Sequence, residues 1–302
     1  MELFWLQTKL MSYRFSLRQI SVFEAVARTG SVSKAANQLA MSQSACSGAL
    51  KELEQLYGII LFDRVGKRLK ITNRGKQLRL SARRFLDSAG DLHSQLKAEQ
   101  GLGVLNIGAT KTIGNTILFD GVKSFIESGG QCTIKIANTE SIGKSILNFG
   151  LDLGLIEGEL ASEDLISIPW QHDELKIVCH PQHASANQTL SVQALLDHSW
   201  VMREPGSGTR EHFMKALGIN SSDLNISLEV NETEAICRAV SQGLGLSCLS
   251  GHVVDDKIAR GELAHIRCAQ SNLSRQLFVA YHRYKYLDQT MEHFLSLVLD
   301  PK

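Results

Sequence analysis

Apolar residues recur at three- and four-residue steps through much of the first hundred positions, which is the spacing of one face of an α-helix. The stretch Leu17–Thr29 predicts a first amphipathic helix. Two further periodic stretches begin after Ser31 and after Ser42, and serine is a preferred residue at helix N-caps. The pattern therefore predicts three short helices, with a tight turn at Ala40-Met41 between the second and the third.

The third helix has two contrasting faces. One face is an apolar stripe, formed by Cys46, Ala49, Leu50, Leu53 and Leu56. The other face carries small polar residues and one cation near the helix start, namely Gln43, Ser44, Ser47 and Lys51. Such a helix, reached through a tight turn from a preceding helix, suits the major groove of DNA. The alternative is an ordinary three-helix segment whose polar residues are simply exposed.

A short hairpin is predicted directly afterwards. The apolar runs Ile59–Phe62 and Leu69–Thr72 have strand character, and the turn between them is basic. If this hairpin lies beside the third helix, its cations Arg64, Lys67 and Arg68 are placed to meet DNA phosphates or the minor groove. The whole segment is then a winged helix-turn-helix.

A longer periodic stretch runs from Asn73 to about Gln100. A helix of that length spans about 37 Å, and its apolar stripe is too long to be buried against so small a domain. We therefore expect it to pack against the same helix of a second copy of the chain. The alternative is a long core helix of the next domain. Gly101 and Gly103 are expected to end the helix.

The rest of the chain alternates between strand-like and helix-like segments, which is typical of parallel sheets covered by helices on both faces. The predicted strands are Val104–Ile107, Thr133–Ala137, Leu151–Ile156, Leu175–Cys179, Trp200–Met202, Ile226–Val230, Leu246–Leu249 and Leu277–Tyr281. The predicted helices are Asn115–Ser128, Ser141–Asn148, Ser191–Leu196, Arg210–Leu217, Thr233–Gln242 and Gln289–Leu299. Ligands of such sheets collect at the carboxyl ends of the strands, where helix N-termini point.

One strand-to-helix turn, Arg203–Glu211, has the composition of an anion-binding nest. Gly206 and Gly208 free the backbone to turn its N–H groups inward, while Ser207 and Thr209 add hydroxyl donors at a helix N-terminus. The lysine-containing phosphate loop of nucleotide-binding proteins is absent from it. A plain loop with a helix cap is the alternative interpretation.

Composition and charge support a chain of several domains. The 302 residues are 43% hydrophobic and 21% charged, which is ordinary for a globular protein with two or three domains. The first 100 residues hold 16 Lys and Arg against 8 Asp and Glu, whereas the remainder holds 16 against 23. A basic first third suits a module that binds a polyanion.

No run of about 20 apolar residues predicts a membrane span. Met1–Leu10 lacks the basic start of a signal peptide. We expect this segment to be dispensable, with Met11 as the alternative start.

Other reactive residues give weaker patterns. The six cysteines form no paired motif, which favours reduced thiols, with a redox switch as the alternative. His180 and His183 have no further ligands at a recognised metal-site spacing. Glu157 and Glu159, near Asp152, are expected to end a strand or line a cleft rather than to form a catalytic pair. With no nucleophile-elbow motif present, we predict no catalytic residue, no metal site and no cofactor.

The run AANQLAMSQSACSGALKELEQLYGIILFDRVGKRLKITNRG resembles the winged helix-turn-helix of LysR-type transcriptional regulators. The downstream stretches TIGN, DLGLIEG, DEL and REPGSGTRE are most similar to the YeiE-like branch of that family, so the resemblance covers about Leu17–Leu299. It implies an α/β protein with an N-terminal winged helix-turn-helix, a long linker helix and a C-terminal two-lobed α/β effector domain similar to periplasmic binding proteins. The implied segments are an N-terminal extension (1–16), a DNA-binding domain (17–75), a linker and dimerisation helix (76–100) and an effector-binding domain (103–302), with lobe I at about 103–175 and 277–302 and lobe II at about 176–276.

The resemblance also implies partners. Double-stranded promoter DNA is expected to bind a homo-oligomer, a dimer of dimers, with RNA polymerase as a further candidate partner, no membrane association and a cytoplasmic, nucleoid-associated location. The residues expected at DNA are Ser33, Ser42, Gln43, Ser44, Ser47, Lys51, Arg64, Lys67 and Arg68. Ser44 stands where many relatives have proline and Gly48 where many have Arg or Lys, which puts the operator sequence in doubt.

A small anionic effector is expected between the lobes. The expected class is an oxyanion or a carboxylate, with sulfur oxyanions among the candidates, because Ser, Thr and backbone donors are concentrated there with few large aromatic residues. The residues carried over from the resemblance are Thr110, Thr112, Asn138, Ser141, Arg203, Gly206, Ser207, Gly208, Thr209 and Glu232. Two rival interpretations are a solute-binding receptor without DNA function and a two-lobed α/β enzyme.

Overall fold

A computed structural model describes residues 13–65, 68–96, 102–158, 160–269 and 271–299 of the chain. The chain divides into two compact units, Met1–Glu99 and Gln100–Lys302. The predicted dispensable segment Met1–Leu10 lies outside the described residues. No helix within the described ranges is long and apolar enough to cross a membrane.

Three short helices, a hairpin and a long helix make up the first unit. Their bounds are α1 Leu17–Thr29, α2 Val32–Gln38, α3 Gln43–Tyr57, β1 Phe62–Val65, β2 Arg68–Ile71 and α4 Asn73–Leu96. The hydroxyls of Ser16, Ser31 and Ser42 accept hydrogen bonds from first-turn N–H groups of α1, α2 and α3. Helices α1 and α3 end at Gly30 and Gly58, both with positive φ. Local capping therefore fixes the helix boundaries of the predicted winged helix-turn-helix.

The first unit packs around the apolar faces of its three short helices. Phe23, Val26, Cys46 and Leu50 are buried together there. Near the start of α4, Gly75 approaches the hairpin so closely that a Cβ would lie 2.5 Å from the Leu61 carbonyl oxygen. Only glycine fits at that point, so the hairpin and the first turn of α4 are held against each other.

The second unit is a mixed α/β structure. Its strands are β3 Val104–Thr110, β4 Gln131–Ala137, β5 Leu153–Glu157, β6 Leu165–Cys179, β7 Thr189–Leu190, β8 Ser199–Met202, β9 Asn225–Glu229, β10 Ser247–Ser250, β11 Ala264–Cys268 and β12 Ser274–His282. Its α-helices are α5 Lys111–Asn115, α6 Leu118–Glu127, α7 Thr139–Leu147, α8 Val192–Leu196, α9 Gly208–Leu217, α10 Thr233–Ser241, α11 Gly251–Ala259 and α12 Gln289–Leu299. A short 3₁₀ turn occupies Ser221–Asp223.

The main sheet differs from the predicted parallel arrangement. Its strand order is β4-β3-β5-β12-β6-β11-β7, and β10 also pairs with β6. Strand β3 is parallel to β4 and β5, but β12 runs antiparallel to both β5 and β6. The returning C-terminal strand enters the sheet between β5 and β6, which makes the sheet mixed rather than parallel.

Two strands cross between the two halves of this unit. The first part of β6 pairs with β12, and its last residues pair with β10 and β11. One core lies on the first side of the crossing, around Ile107, Phe125 and Phe294. Another lies on the second side, around Trp200 and Phe213. We call the half built on β3, β4 and β5 lobe I, and the half built on β8 to β11 lobe II.

Several predicted elements have different bounds in the structure. The predicted helix Asn115–Ser128 corresponds to α6, which begins at Leu118, because Asn115 is the last residue of the separate short helix α5. The predicted strand Leu175–Cys179 is only the last third of β6. Strands β7 and β11 and helices α5 and α11 were not predicted.

Candidate functional site

The exposed side of α3 gathers small polar groups near the helix start. The Oγ of Ser42 accepts a hydrogen bond from the N–H of Ala45 at 3.2 Å and lies 3.0 Å from the Oγ of Ser44. Gln43 is held from the side by α2, because the Oγ of Ser33 donates to its Oε1 at 3.0 Å. The exposed residues of this surface, here called the α3 face, are Ser33, Ser42, Gln43, Ser44, Ser47 and Lys51.

The hairpin adds a cation to this unit. Arg64 on β1 is exposed, while Lys67 and the side chain of Arg68 lie outside the described residues. Gly48 leaves open space on α3, because no atom lies within 4 Å of a Cβ built on it. Exposed amide, hydroxyl and cationic groups of this kind can hydrogen-bond base edges and phosphates.

An apolar groove of about 470 Å³ lies in the same unit, beside α1 and α4. Its lining includes Phe15, Ile20, Leu53, Leu61, Leu78 and Phe85. Farther along α4, the apolar side chains of Leu92 and Leu96 are exposed. Large apolar side chains exposed along one helix indicate a contact surface for another chain.

In the second unit, strand-to-helix turns from the two lobes meet directly. The N–H of Glu140 donates to the carbonyl of Gly206 at 3.2 Å, and Nδ2 of Asn138 donates to Glu204 Oε1 at 3.2 Å. Lys111, the first residue of α5, forms an ion pair with Glu232, which precedes α10. We call the region where these turns meet the interlobe cleft; its turns are 110–112, 138–141 and 157 from lobe I, and 203–210 and 232–233 from lobe II.

A buried carboxylate sits at the centre of the cleft. Glu157, the last residue of β5, accepts hydrogen bonds from the Thr112 N–H at 3.1 Å, the Thr209 hydroxyl at 2.7 Å and Arg275 Nη1 at 3.1 Å. Burial would raise the pKa of Glu157, but Arg275 and the bonds from Thr112 and Thr209 outweigh it and lower the pKa to about 2. Glu157 is therefore a carboxylate at neutral pH.

Arg275 connects this carboxylate to the crossing strands. It lies on β12 directly opposite Asp173 of β6, and its Nη2 is 2.6 Å from Asp173 Oδ2. The other Asp173 oxygen accepts a hydrogen bond from Ser250 at 2.7 Å. All three charged side chains are almost completely buried. Arg275 thus forms ion pairs with Glu157 of lobe I and with Asp173 of β6, one of the strands that join the lobes.

Two glycines allow the turns to meet. A Cβ on Gly208 would lie 2.1 Å from the Glu157 carbonyl oxygen, and one on Gly206 would lie 2.5 Å from a carboxylate oxygen of Glu140. Gly206 also has a φ of +81°. We expected these glycines to free backbone donors for an anion. In the structure they permit close contact between the lobes.

Five buried hydroxyl oxygens have no hydrogen-bond partner among the described residues: those of Thr110, Ser207, Thr233, Ser247 and Ser271. The first three stand at the starts of α5, α9 and α10, in turns of the interlobe cleft. Leaving a buried hydroxyl unpaired costs about 1–3 kcal/mol. Unpaired hydroxyls in three converging turns therefore indicate a place for a polar ligand.

The predicted effector residues lie in one region of the structure, but they have different hydrogen-bond and ion-pair partners. Thr112 and Thr209 donate to Glu157. The Oδ1 of Asn138 caps α7 by accepting from the N–H of Ser141 at 3.0 Å. Arg203 is buried and contacts Glu204 at 2.8 Å, while Glu232 contacts Lys111. Thr110 and Ser207 are the predicted residues whose hydroxyls have no partner in the described part of the chain.

Sequence reasoning missed four features of the cleft: Lys111, Thr233, Arg275 and the central role of Glu157. Lys111 follows the predicted residue Thr110 in the chain, and Thr233 follows the predicted residue Glu232. Arg275 had no local pattern, because it reaches the cleft from a strand far along the chain.

The weaker candidates have structural roles in this fold. His180 and His183 cap a turn, each ring nitrogen accepting from a nearby backbone N–H at 3.0 and 3.1 Å. Asp152 pairs with Lys285 at 2.9 Å, and Glu159 lies outside the described residues. Within the described ranges, no group of three or more His, Cys, Asp or Glu residues could hold a metal ion.

The cysteines are unpaired, and most are poorly suited to redox chemistry. All six are free thiols. Burial raises the pKa of Cys46, Cys132 and Cys248, and it raises the pKa of Cys179 and Cys237 to about 11. Because the thiolate is the reactive form, raised pKa values make these thiols less reactive.

Comparisons with known proteins agree with this architecture. Residues 17–76 match the family model described as "Bacterial regulatory helix-turn-helix protein, lysR family", and residues 98–300 match "LysR substrate binding domain". The chain is 36% identical over 283 residues to the HTH-type transcriptional regulator YeiE of Escherichia coli K12, covering 93% of this chain and 96% of that protein.

Two solved structures are similar in fold. A full-length single-site variant of OxyR from Pseudomonas aeruginosa has a TM-score of 0.73 at 19% identity, with 95% of this chain and 94% of that chain covered. The Synechocystis PCC6803 CcmR regulatory domain, in complex with 2-PG, has a TM-score of 0.59 at 26% identity, with 65% of this chain and 96% of that chain covered.

Proposed function

This chain belongs to the LysR family of transcriptional regulators, and we propose that it controls promoter DNA in response to a small anion bound in the interlobe cleft. As a member of that family it is a DNA-binding regulator with an effector-binding domain, not an enzyme. The finer assignments concern which residues meet DNA, how copies assemble and what the effector is.

The α3 face is the surface we assign to base recognition. Gln43 lies at the exposed start of α3, and a glutamine amide can pair with both the N6 and N7 positions of adenine. Ser33 steadies that amide through its 3.0 Å hydrogen bond. Ser42, Ser44, Ser47 and Lys51 surround it, while Arg64, Lys67 and Arg68 are assigned to phosphates. Two such faces in a dimer would meet half-sites about one helical turn apart.

Dimerisation is assigned to α4 and the apolar groove beside it. The groove together with the exposed Phe85, Leu92 and Leu96 forms an apolar surface that one copy leaves in contact with water. Pairing two copies of α4 would bury it. A dimer of dimers, acting at the nucleoid in the cytoplasm and contacting RNA polymerase, is the assembly we expect from the family.

The unpaired hydroxyls at three converging turns are the observation that carries the effector assignment. Thr110 belongs to lobe I, whereas Ser207 and Thr233 belong to lobe II, so one ligand could bridge the lobes. Hydroxyls and helix N-termini donate hydrogen bonds and favour negative charge. We therefore propose a small oxyanion or carboxylate, with sulfur oxyanions as the first class to test.

Regulation would follow from differential affinity. A ligand that bridges Thr110 and Ser207 binds better when the turns lie close together than when the lobes are apart, so it shifts the population towards the closed arrangement. That shift can change how the DNA-binding heads of an oligomer are spaced, provided that the two arrangements differ in DNA affinity.

Isothermal titration calorimetry tests the effector assignment. Full-length protein is titrated with sulfate, sulfite, phosphate and acetate at constant ionic strength. We expect one or more of these anions to bind, and Ser207→Ala to bind about tenfold more weakly because a hydrogen bond to an anion is lost. Ser222→Ala, at an exposed position of lobe II, is the matched control. Equal binding by both variants, or no binding by any protein, would contradict the proposal.

A further inference from the structure

Each cation in the described turns of the interlobe cleft, and Arg275 on β12 beside them, already contacts a carboxylate of this chain. The pairs are Lys111 with Glu232, Arg203 with Glu204, Arg210 with Glu229, and Arg275 with Glu157 and Asp173. An anionic ligand at these turns therefore meets positive charges that are already paired. To gain a full charge–charge contact, it must replace one of these carboxylates.

The five carboxylates differ in how easily each can leave its cation and move into water. The side chains of Asp173 and Glu157 are 1% and 2% exposed, and that of Glu204 is 18% exposed. Glu229 is 47% exposed, but its partner Arg210 also donates to the Arg203 carbonyl, so that guanidinium is fixed within lobe II. Glu232 is 60% exposed, the largest of the five. A carboxylate that already reaches water loses little when it returns to water.

The cation that Glu232 contacts is well placed for a ligand. Lys111 is only 9% exposed, so its charge is largely shielded from water. It follows Thr110 in the chain, and Glu232 precedes Thr233. The ion pair thus joins two turns whose hydroxyls are buried without a partner among the described residues. An anion that reaches both those turns and the Lys111 ammonium would compete with Glu232 for it.

We propose that Glu232 is an internal counter-anion that the effector displaces from Lys111, an inference that rests on the proposed function. In the exchange, the Lys111–Glu232 contact breaks, a Lys111–ligand contact forms, and the Glu232 carboxylate moves into water with its charge unchanged. The carboxylate thus lowers anion affinity, and it discriminates against neutral ligands because these cannot replace its charge. The exchange also converts a direct contact between lobes into one that passes through the ligand.

Calorimetry with inorganic sulfate, sulfite and phosphate on four full-length variants tests the exchange. Glu232→Gln removes the competing charge but keeps the side-chain shape, and we expect it to bind the anion about fivefold more tightly than wild type. Glu234→Gln makes the same change in net charge two residues away, on a side chain that contacts Lys257 outside the cleft, and should bind like wild type. Lys111→Met should bind at least about tenfold more weakly. In the Lys111→Met background, adding Glu232→Gln should have no effect.

The outcomes separate the two proposals. If wild type binds an anion but Glu232→Gln and Glu234→Gln have equal affinity, the counter-anion inference is wrong and the effector assignment stands. If Glu232→Gln tightens binding equally with and without Lys111, the effect is general electrostatics and the exchange is again contradicted. If neither wild type nor Glu232→Gln binds any of the anions, both proposals fail.

Discussion

The α3 face and the interlobe cleft are both polar, but they differ in how their polar groups are satisfied. The residues of the α3 face are exposed, and their hydrogen bonds are local, such as the Ser33–Gln43 contact. In the cleft, by contrast, each described cation contacts a carboxylate, and Glu157 alone accepts three hydrogen bonds. A ligand of the first surface adds contacts, whereas we propose that a ligand of the second also exchanges a charge contact, that of Lys111 with Glu232.

This difference predicts which mutations affect ligand binding alone and which affect both folding and ligand binding. A change on an exposed surface removes contacts with the ligand and leaves the fold nearly unaffected. A change in a buried, fully paired network leaves the remaining partners unsatisfied and alters folding and binding together. Substitutions in the two regions should therefore behave differently in folding and in binding measurements.

Glu157→Gln should have the largest effect. The substitution keeps the size of the side chain but leaves Arg275 buried with only Asp173 as an anionic partner. Breaking a buried ion pair in this way should lower the free energy of unfolding by about 3 kcal/mol. Chemical denaturation of the full-length protein measures the change. Glu127→Gln, at an exposed pair with Lys123, should change it by less than about 0.5 kcal/mol.

The pH dependence of stability gives a second readout of the same network. The pKa of Glu157 is lowered from 4.5 to about 2 by Arg275 and its hydrogen-bond donors despite its burial. Its stabilising contribution is therefore complete above pH 4.5 and is lost as the pH falls towards 2. The difference in unfolding free energy between wild type and Glu157→Gln should shrink over this range. A constant difference would contradict the assignment of Glu157 as a buried carboxylate.

Gly208→Ala should be next in size. An added Cβ would lie 2.1 Å from the Glu157 carbonyl oxygen, so the turns of the two lobes must separate. We expect a loss of about 1–3 kcal/mol in unfolding free energy. Anion binding should be lost as well, because the turns that carry Thr110 and Ser207 no longer converge. Normal anion affinity in a destabilised Gly208→Ala protein would show that lobe contact is not needed for binding.

Gln43→Ala should weaken operator binding without affecting folding. Loss of a bidentate base contact costs about 1–3 kcal/mol of DNA affinity and relaxes sequence preference at one base pair. Gel-shift titrations with operator variants measure both quantities. Arg64→Gln is the contrast, since loss of a phosphate contact should weaken all sequences equally and reduce the salt dependence by about one counterion. A purely uniform loss in Gln43→Ala would remove Gln43 from base recognition.

Gly48→Ala should have the smallest effect and the opposite sign. Because a Cβ meets no atom within 4 Å, the substitution adds helix propensity without a clash and should stabilise the protein by up to about 1 kcal/mol. Thermal unfolding measures the gain. A destabilised Gly48→Ala protein would contradict the open space seen on α3.

The sequence predicted the first unit better than the second because local interactions determine it. Helix α1 has the predicted bounds, since Ser16 caps its start and Gly30 ends it. A hairpin was predicted in the same way, from two short apolar runs around a basic turn, but its first strand begins at Phe62 rather than Ile59, so Arg64 lies on a strand and not in the turn. Caps, turns and helical periodicity all act within a few residues, and these are the interactions that a single sequence displays.

The second unit depends on contacts between distant segments. Strand β6 extends back to Leu165, where Ile166, Ile168 and Trp170 alternate with more polar residues as in a strand, but Pro169 within the run argues against one. Pairing with β12 near the C-terminus completes this part of the strand. The cleft shows the same limitation. The turn Arg203–Glu211 was recognisable locally. However, the Thr209 hydroxyl donates to Glu157 of a distant strand, and the cation that neutralises Glu157 is Arg275 of β12.

The most direct test of the account is a footprint of promoter DNA by the full-length protein at increasing concentrations of the anion that calorimetry identifies. We predict that the footprint of wild type changes with a midpoint near the calorimetric Kd, and that the midpoint for Ser207→Ala moves to about tenfold higher anion concentration. A footprint that stays the same while the anion binds, or one that changes at the same concentration in Ser207→Ala, would contradict the claim that the interlobe cleft controls DNA binding.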